Sequence, residues 1–258
     1  MTNRTMVFGD DGSISADLAW LWINVHAWTD WELDIVHAVP PVAVVASAEP
    51  IELHEWNPGN PRVPFAEAKL ARVVHLTGEL DPRLALSRES DLLVVGPRGP
   101  GLAKAMHLGS TAEWLMVHPP SPMVVARHGR RTQTAVVCHD GSPHAAAAMA
   151  ALCALPWAHQ LAATLVVVDD GRTDVDATVT AATAALLSTG ATVEHRIPSG
   201  DPTHEILRFL ETHTPDLLVC GTRGLTGIKR LRVGSTAAVL AHAATSSILV
   251  ACDPLADA

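Results

Sequence analysis

The sequence predicts an α/β chain of two tandem doubly wound domains, each a parallel sheet covered by helices, and three observations predict it. Short apolar runs alternate with stretches of helical length and composition. The second half of the chain repeats the first. Glycines stand where several apolar runs end. Residues 91–126 align with 216–251 without a gap at an offset of 125, and 16 of 36 positions are identical. The starts correspond too: Val7-Phe8-Gly9-Asp10-Asp11-Gly12-Ser13 matches Val136-Val137-Cys138-His139-Asp140-Gly141-Ser142 at an offset of 129. The repeat divides the chain into 1–129 and 130–258, each of ordinary domain size. Residues 127–133, short, polar and basic, read as a linker running over the surface.

The elements follow in order. In the first half a helix is expected over about 14–27, with strands near 33–39, 71–77 and 92–95. Six prolines (Pro40, Pro41, Pro50, Pro58, Pro61 and Pro64) exclude one long helix over 40–64, which reads as a loop with at most a short helix. Met123-Val124-Val125 is the last apolar run of this half. In the second half, 134–138 is a strand ended by the polar turn His139-Asp140-Gly141-Ser142. Ser142 offers an N-cap and Pro143 a first helical position for a helix over 143–155. Strands are expected over 162–168, 191–197, 216–220 and 247–251, and helices over 174–189, 202–213 and 235–244. Trp20, Trp22, Trp28 and Trp31 crowd the first helix and its exit, as core or as packing between the domains.

Composition excludes several classes. Of 258 residues, 48% are hydrophobic, enough for a real core. Lys plus Arg number 18 against 27 Asp plus Glu, a net charge of −9, the opposite of a nucleic-acid coat, so no nucleic-acid partner is expected. No apolar run approaches the roughly 18 residues of a membrane span, and residues 1–9 hold no long apolar stretch, so a cytoplasmic address without membrane contact is expected. Cys138, Cys153, Cys220 and Cys252 lack zinc-ligand spacing, and the 14 histidines form no HExxH-type cluster, so no metal site is expected.

The chemistry lies in a repeated pattern, Gly96-x2-Gly99-x9-Gly109-Ser110 and Gly221-x2-Gly224-x9-Gly234-Ser235. Gly96 and Gly221 end strands, while Gly109-Ser110-Thr111 and Gly234-Ser235-Thr236 open helices. This is a phosphate cradle: glycines let a ligand approach the backbone, and the first-turn N–H groups and helix dipole favour an anion. Turn-making alone also accounts for such glycines. The pattern is neither a Walker loop nor GxGxxG. Asp11-Gly12-Ser13 and Asp140-Gly141-Ser142 follow the first strand of each domain and face the glycine loop across a cleft. Their carboxylates suit a ribose hydroxyl or a phosphate-bound metal, or plain turn and N-cap chemistry.

With these motifs the chain resembles a tandem universal stress protein of the ATP-binding subgroup, whose signature is G-x2-G-x9-G-[ST]. The resemblance covers nearly the whole chain and is weakest over 40–64. It implies an adenine nucleotide alpha-hydrolase-like fold, five parallel strands per domain in the order 3-2-1-4-5. It also implies ATP, with or without Mg²⁺, bound at the strand carboxyl ends. Asp11 and Asp140 then match the aspartate at the base and ribose end. Ala38 and Val168 match the second-strand residue whose backbone contacts adenine. Gly96, Gly99, Gly109, Ser110 and Thr111, and Gly221, Gly224, Gly234, Ser235 and Thr236, match the phosphate contacts. The Pro-rich stretch departs from the family near the mouth of the first site, and Ser246-Ser247 replaces Ser121-Pro122 before the last strand.

The implied function is a regulatory adenine-nucleotide-binding protein of the stress response. A slow ATPase or nucleotide-using enzyme of the same fold is the alternative. Only Asp11 and Asp140 offer themselves as general bases, so no catalytic residue is assigned. Family members pair through their last strands. Here Met123-Val124-Val125 and Ile248-Leu249-Val250 are therefore expected to pair within one chain as a pseudo-twofold unit. A homodimer of the whole chain is compatible with that arrangement.

Overall fold

The computed structural model describes residues 3–39, 53–99, 108–117, 119–223 and 234–253. Its first half contains β1 (Arg4–Gly9), α1 (Ile14–Asn24), β2 (Trp31–Val39), β3 (His54–Glu55), β4 (Arg72–Glu79), α2 (Pro82–Ala85), β5 (Leu92–Val95), α3 (Ser110–Val117) and β6 (Met123–Val125). The second half contains β7 (Thr134–Cys138), α4 (Pro143–Cys153), β8 (Ala162–Val166), α5 (Val175–Ser188), β9 (Thr192–Arg196), α6 (Pro202–Thr212), β10 (Leu217–Gly221), α7 (Ser235–Ala243) and β11 (Ser247–Ala251). Helix starts follow the local chemistry: Ser13 and Ser142 accept from Ala16 N and Ala145 N, and Pro143 and Pro202 sit in first turns.

All strands join one 11-stranded sheet, β3-β4-β2-β1-β5-β6-β11-β10-β7-β8-β9. Within each half the main strands run parallel in the order third, second, first, fourth, fifth. The halves meet where β6 and β11 pair antiparallel, with Val125 opposite Ile248 and Met123 opposite Val250. Every residue of β5, β6 and β11 is buried, as central strands with both faces covered must be. Pairing them hides two apolar edges that would otherwise template aggregation.

Two apolar layers flank the sheet, and each runs through both halves. One joins Phe8, Trp22 and Leu33 to Leu152, Trp157 and Leu165, and the other joins Val36, Leu115 and Val125 to Val136, Leu218 and Leu240. The tryptophans belong to the first layer and also to the seam between the halves. Trp157 lies edge-on to Trp22 and Trp28, with centroids at 5.8 and 6.0 Å, and 4.2 Å from the His26 ring.

Two expectations are corrected. The linker runs over the surface only in part: Arg130, Arg131 and Gln133 are exposed, but Thr132 is drawn into the seam. Thr132 is 2% exposed, its N–H donates to His26 Nε2 at 3.0 Å, and Trp22 Nε1 donates to its hydroxyl at 3.2 Å. Arg127 donates to Ala241 O and Arg131 to Val25 O, and a Cβ at Gly129 would lie 2.5 Å from the Leu21 side chain. The Pro-rich stretch, in its described part, holds a two-residue strand rather than a short helix. β3 pairs antiparallel with β4, His54 opposite Thr77, and Pro58 stands three residues beyond its end.

Candidate functional site

The carboxyl ends of the strands place the Asp turns beside the glycine loops in both halves. Asp11 Oδ1 accepts from Ser13 N at 2.9 Å and Asp140 Oδ1 from Ser142 N at 3.0 Å, which folds each turn on itself. The two serines cap α1 and α4 and also donate to the loops: Ser13 Oγ to Arg98 O and Ser142 Oγ to Arg223 O, each at 3.3 Å. A Cβ at Gly99 would lie 3.1 Å from Asp11 Oδ2, so the loop passes close against the carboxylate. Gly109 N donates to Pro97 O and Gly234 N to Thr222 O, both at 2.7 Å, closing each loop at its neck. Ser110 and Ser235, the first residues of α3 and α7, are exposed beyond these necks.

Several predicted residues have further roles. Gly96 and Gly221 are required by packing. A Cβ at Gly96 would stand 2.5 Å from Ser15 O, and one at Gly221 2.5 Å from Ala145 N, so each glycine seats a helix start on a strand end. Thr236 exchanges a hydroxyl hydrogen bond with Thr203 on α6 at 2.8 Å. Val168 is buried at 6% exposure, whereas Ala38 is half-buried and lines a cleft. Thr111 is half-buried in the first turn of α3. Gly224 lies outside the described residues. Thr222, beside Gly221, is 1% exposed, and its hydroxyl has no hydrogen-bond partner among the described residues.

The first half has a cleft of about 650 Å³ holding Asp11, Gly12 and Ala38. Sequence reasoning missed what else is in it. Arg62 Nε and Nη2 donate to the two oxygens of Asp10 at 2.6 and 2.7 Å, and Nη1 lies 2.8 Å from Asp17 Oδ1. Burial pushes the Asp10 carboxyl up, but the Arg62 hydrogen bonds and charge outweigh it and hold it below its ordinary value. The same fork raises Arg62. His37 Nδ1 stands 3.7 Å from Asp10, and burial depresses its pKa. The signal was present: Arg62 is the only Arg or Lys between residues 40 and 64. In the second half His139 takes the place of Asp10, its Nδ1 accepting from Gly141 N at 3.0 Å as Asp10 Oδ1 accepts from Gly12 N at 3.1 Å.

Among the described residues no group of His, Cys, Asp and Glu is arranged to hold a metal, and no helix is long and apolar enough to cross a membrane. The Cys138 and Cys220 thiols are buried and pushed up, Cys220 to about 12.

Comparison with known proteins agrees with this architecture. The chain is similar to a universal stress protein of Synechocystis sp., 30% identical over 172 residues, 65% of this chain and 60% of that protein. It thus matches less than two thirds of that relative's length. Its fold is that of a universal stress protein from Archaeoglobus fulgidus, with a TM-score of 0.66 at 15% identity over 98% of this chain and 99% of that one. A Pseudomonas aeruginosa protein described as a putative universal stress protein superposes with a TM-score of 0.58 at 14% identity, over 97% and 93% of the two chains. Residues 132–251 match the Universal stress protein family, and the Asp turn, the necked glycine loop and the 3-2-1-4-5 sheet all lie within that stretch.

Proposed function

We propose that the protein is a regulatory adenine-nucleotide-binding protein that takes ATP, with Mg²⁺ as counter-ion, beyond the strand carboxyl ends, and acts in the cytoplasm by changing its partners rather than by turnover. The carrying observation is the tie between turn and loop. Ser142 caps α4 and holds Arg223 O, so the Asp140 turn and the glycine loop are preset against each other. Around that tie, Asp140 would accept from a ribose hydroxyl. The exposed Ser235 hydroxyl and the first-turn N–H groups of α7 would meet phosphate, where the helix dipole favours an anion. Binding rather than hydrolysis is favoured because one oxygen of Asp140 is committed to the Ser142 N–H, which suits a fixed acceptor better than a base. Protein denatured directly after purification should release ATP on chromatography with mass-spectrometric detection. Failure of apo protein to bind Mg-ATP in calorimetry rules the reading out.

A further inference from the structure

The first-half cleft is built around a cation. Arg62 meets two carboxylates, Asp10 through both fork nitrogens and Asp17 through the third. Its guanidinium also lies over the rings of Phe8 and Trp20, 5.8 and 5.9 Å from their centroids. Paired carboxylate oxygens that accept in the plane and aromatic faces above it are the set of partners that recognises a guanidinium rather than an ammonium. Asp10 is 5% exposed in its side chain and Arg62 18%, so the pair is largely withdrawn from water. The segment carrying Arg62 walls the cleft that contains Asp11 and Ala38. Among the described lining residues, Asp10, Asp11 and Asp17 stand against Arg62, with the half-buried His37 beside Asp10. That described lining is net negative with Arg62 in place, which disfavours a polyphosphate against it. The second half carries His139 at the Asp10 position and Ala146 at the Asp17 position.

We propose that the first-half cleft is a guanidinium box occupied by the chain's own Arg62 and closed to nucleotide, so that the chain binds one nucleotide, in its second half. The nucleotide count rests on the nucleotide-binding reading above; the box does not. Tethering keeps Arg62 at high effective concentration, so free cations do not displace it.

Two experiments separate the parts. In the first, thermal unfolding of the parent and of Arg62→Ala is followed with millimolar methylguanidinium, or with urea as its uncharged isostere. Methylguanidinium should raise the midpoint of Arg62→Ala by several degrees and leave the parent unmoved, and urea should raise neither. An equal response of the two proteins, or none in the variant, overturns the box. If Arg62→Ala does not fold alone, recovery of folded protein on refolding with methylguanidinium supports the box, and failure of that recovery overturns it. The second experiment titrates Mg-ATP into the parent, Gly234→Glu and Gly109→Glu. One site in the parent, lost in Gly234→Glu and kept in Gly109→Glu, is expected. Two sites, or loss in Gly109→Glu, overturn the closure alone. No binding by the parent overturns the nucleotide reading and the count with it.

Discussion

At the end of its first strand the first half places Asp10, and at the equivalent point the second half places His139. Both accept the N–H two residues on, so the turn has the same shape in each half. Their surroundings differ. Asp10 is bound by a guanidinium from the Pro-rich segment, whereas burial holds His139 below its ordinary value, largely neutral. One backbone motif therefore carries an ion pair in one copy and an uncharged ring in the other. Duplication preserved the scaffold, the cap and the loop neck, while the residues facing the cleft diverged.

Exchanging the two residues should break the comparison most strongly. Asp10→His leaves Arg62 beside a group that cannot take its fork. Breaking a fully buried pair from one side costs about 3–5 kcal/mol; Arg62 keeps Asp17, so the loss should lie below that range, and urea unfolding will show it as a lower midpoint. His139→Asp buries a carboxylate beside Asp140 with no arginine fork, and should both destabilise and weaken Mg-ATP binding. A variant pair that unfolds like the parent would mean that the two copies are interchangeable.

The seam gives the next effect. His26 Nδ1 donates to Trp22 O at 2.6 Å and its Nε2 accepts from Thr132 N, so the neutral ring is fully used. Burial depresses its pKa from 6.5 to about 4. The unfolded chain takes up this proton first as pH falls. The stability is therefore complete above pH 6.5 and lost between there and about 4, amounting to roughly 3 kcal/mol. Burial depresses His37, His128 and His139 in the same direction, so a slope remains in any His26 variant. In His26→Gln, denaturant unfolding across this range should nevertheless lose the largest part of it. Because His26 bridges α1, the linker and Trp157, both halves should unfold together.

Gly234→Glu tests the second loop. Gly234 has φ −69° and ψ 150°, an extended N-cap that any residue adopts, so the fold should survive. The carboxylate would add like charge and bulk at the start of α7. Mg-ATP affinity should drop at least about 100-fold, or about 2.7 kcal/mol, in calorimetry. The twin Gly109→Glu should leave binding unchanged. Equal loss from both would show two working sites.

What was legible in the sequence follows physical lines. The strand pattern and the Ser142 cap rest on local chemistry or on the repeat, and a single chain carries both, whereas the pairing of Val124 with Leu249 followed from the family resemblance. The clamp of Arg62 on Asp10 joins residues 52 positions apart. No periodicity reports such a contact, and only the isolated cation in a Pro-rich run hinted at it. The linker misled for a related reason. Arg130 and Arg131 stay exposed as their type suggests, whereas Arg127 and His128 are half-buried where the sheets join edge to edge, Arg127 donating to Ala241 O and His128 meeting Asp216 O. Gly96 and Gly221 were legible as necessary, but the reason lay in the helix starts packed on them.

The smallest effect sharpens the comparison at the caps themselves. Ser13 and Ser142 make the same two hydrogen bonds, one from the third helical N–H and one to the loop carbonyl. Losing such a cap costs about 0.5–2 kcal/mol. Ser142 is 1% exposed while Ser13 is half-buried, so water replaces less of what Ser142→Ala removes. That variant should fall in the upper part of the range and Ser13→Ala in the lower part, as read by urea midpoints. The loop tether separates them further. Freed from Ser142, Arg223 O no longer fixes the second glycine loop against the Asp140 turn, so Mg-ATP should bind a few-fold more weakly. Ser13→Ala loosens the matching tether at Arg98 in a cleft that Arg62 already fills, and the nucleotide titration should not change. If Ser13→Ala weakens Mg-ATP as much as Ser142→Ala does, the first cleft is contributing to the same binding event and the asymmetry between the two halves is lost.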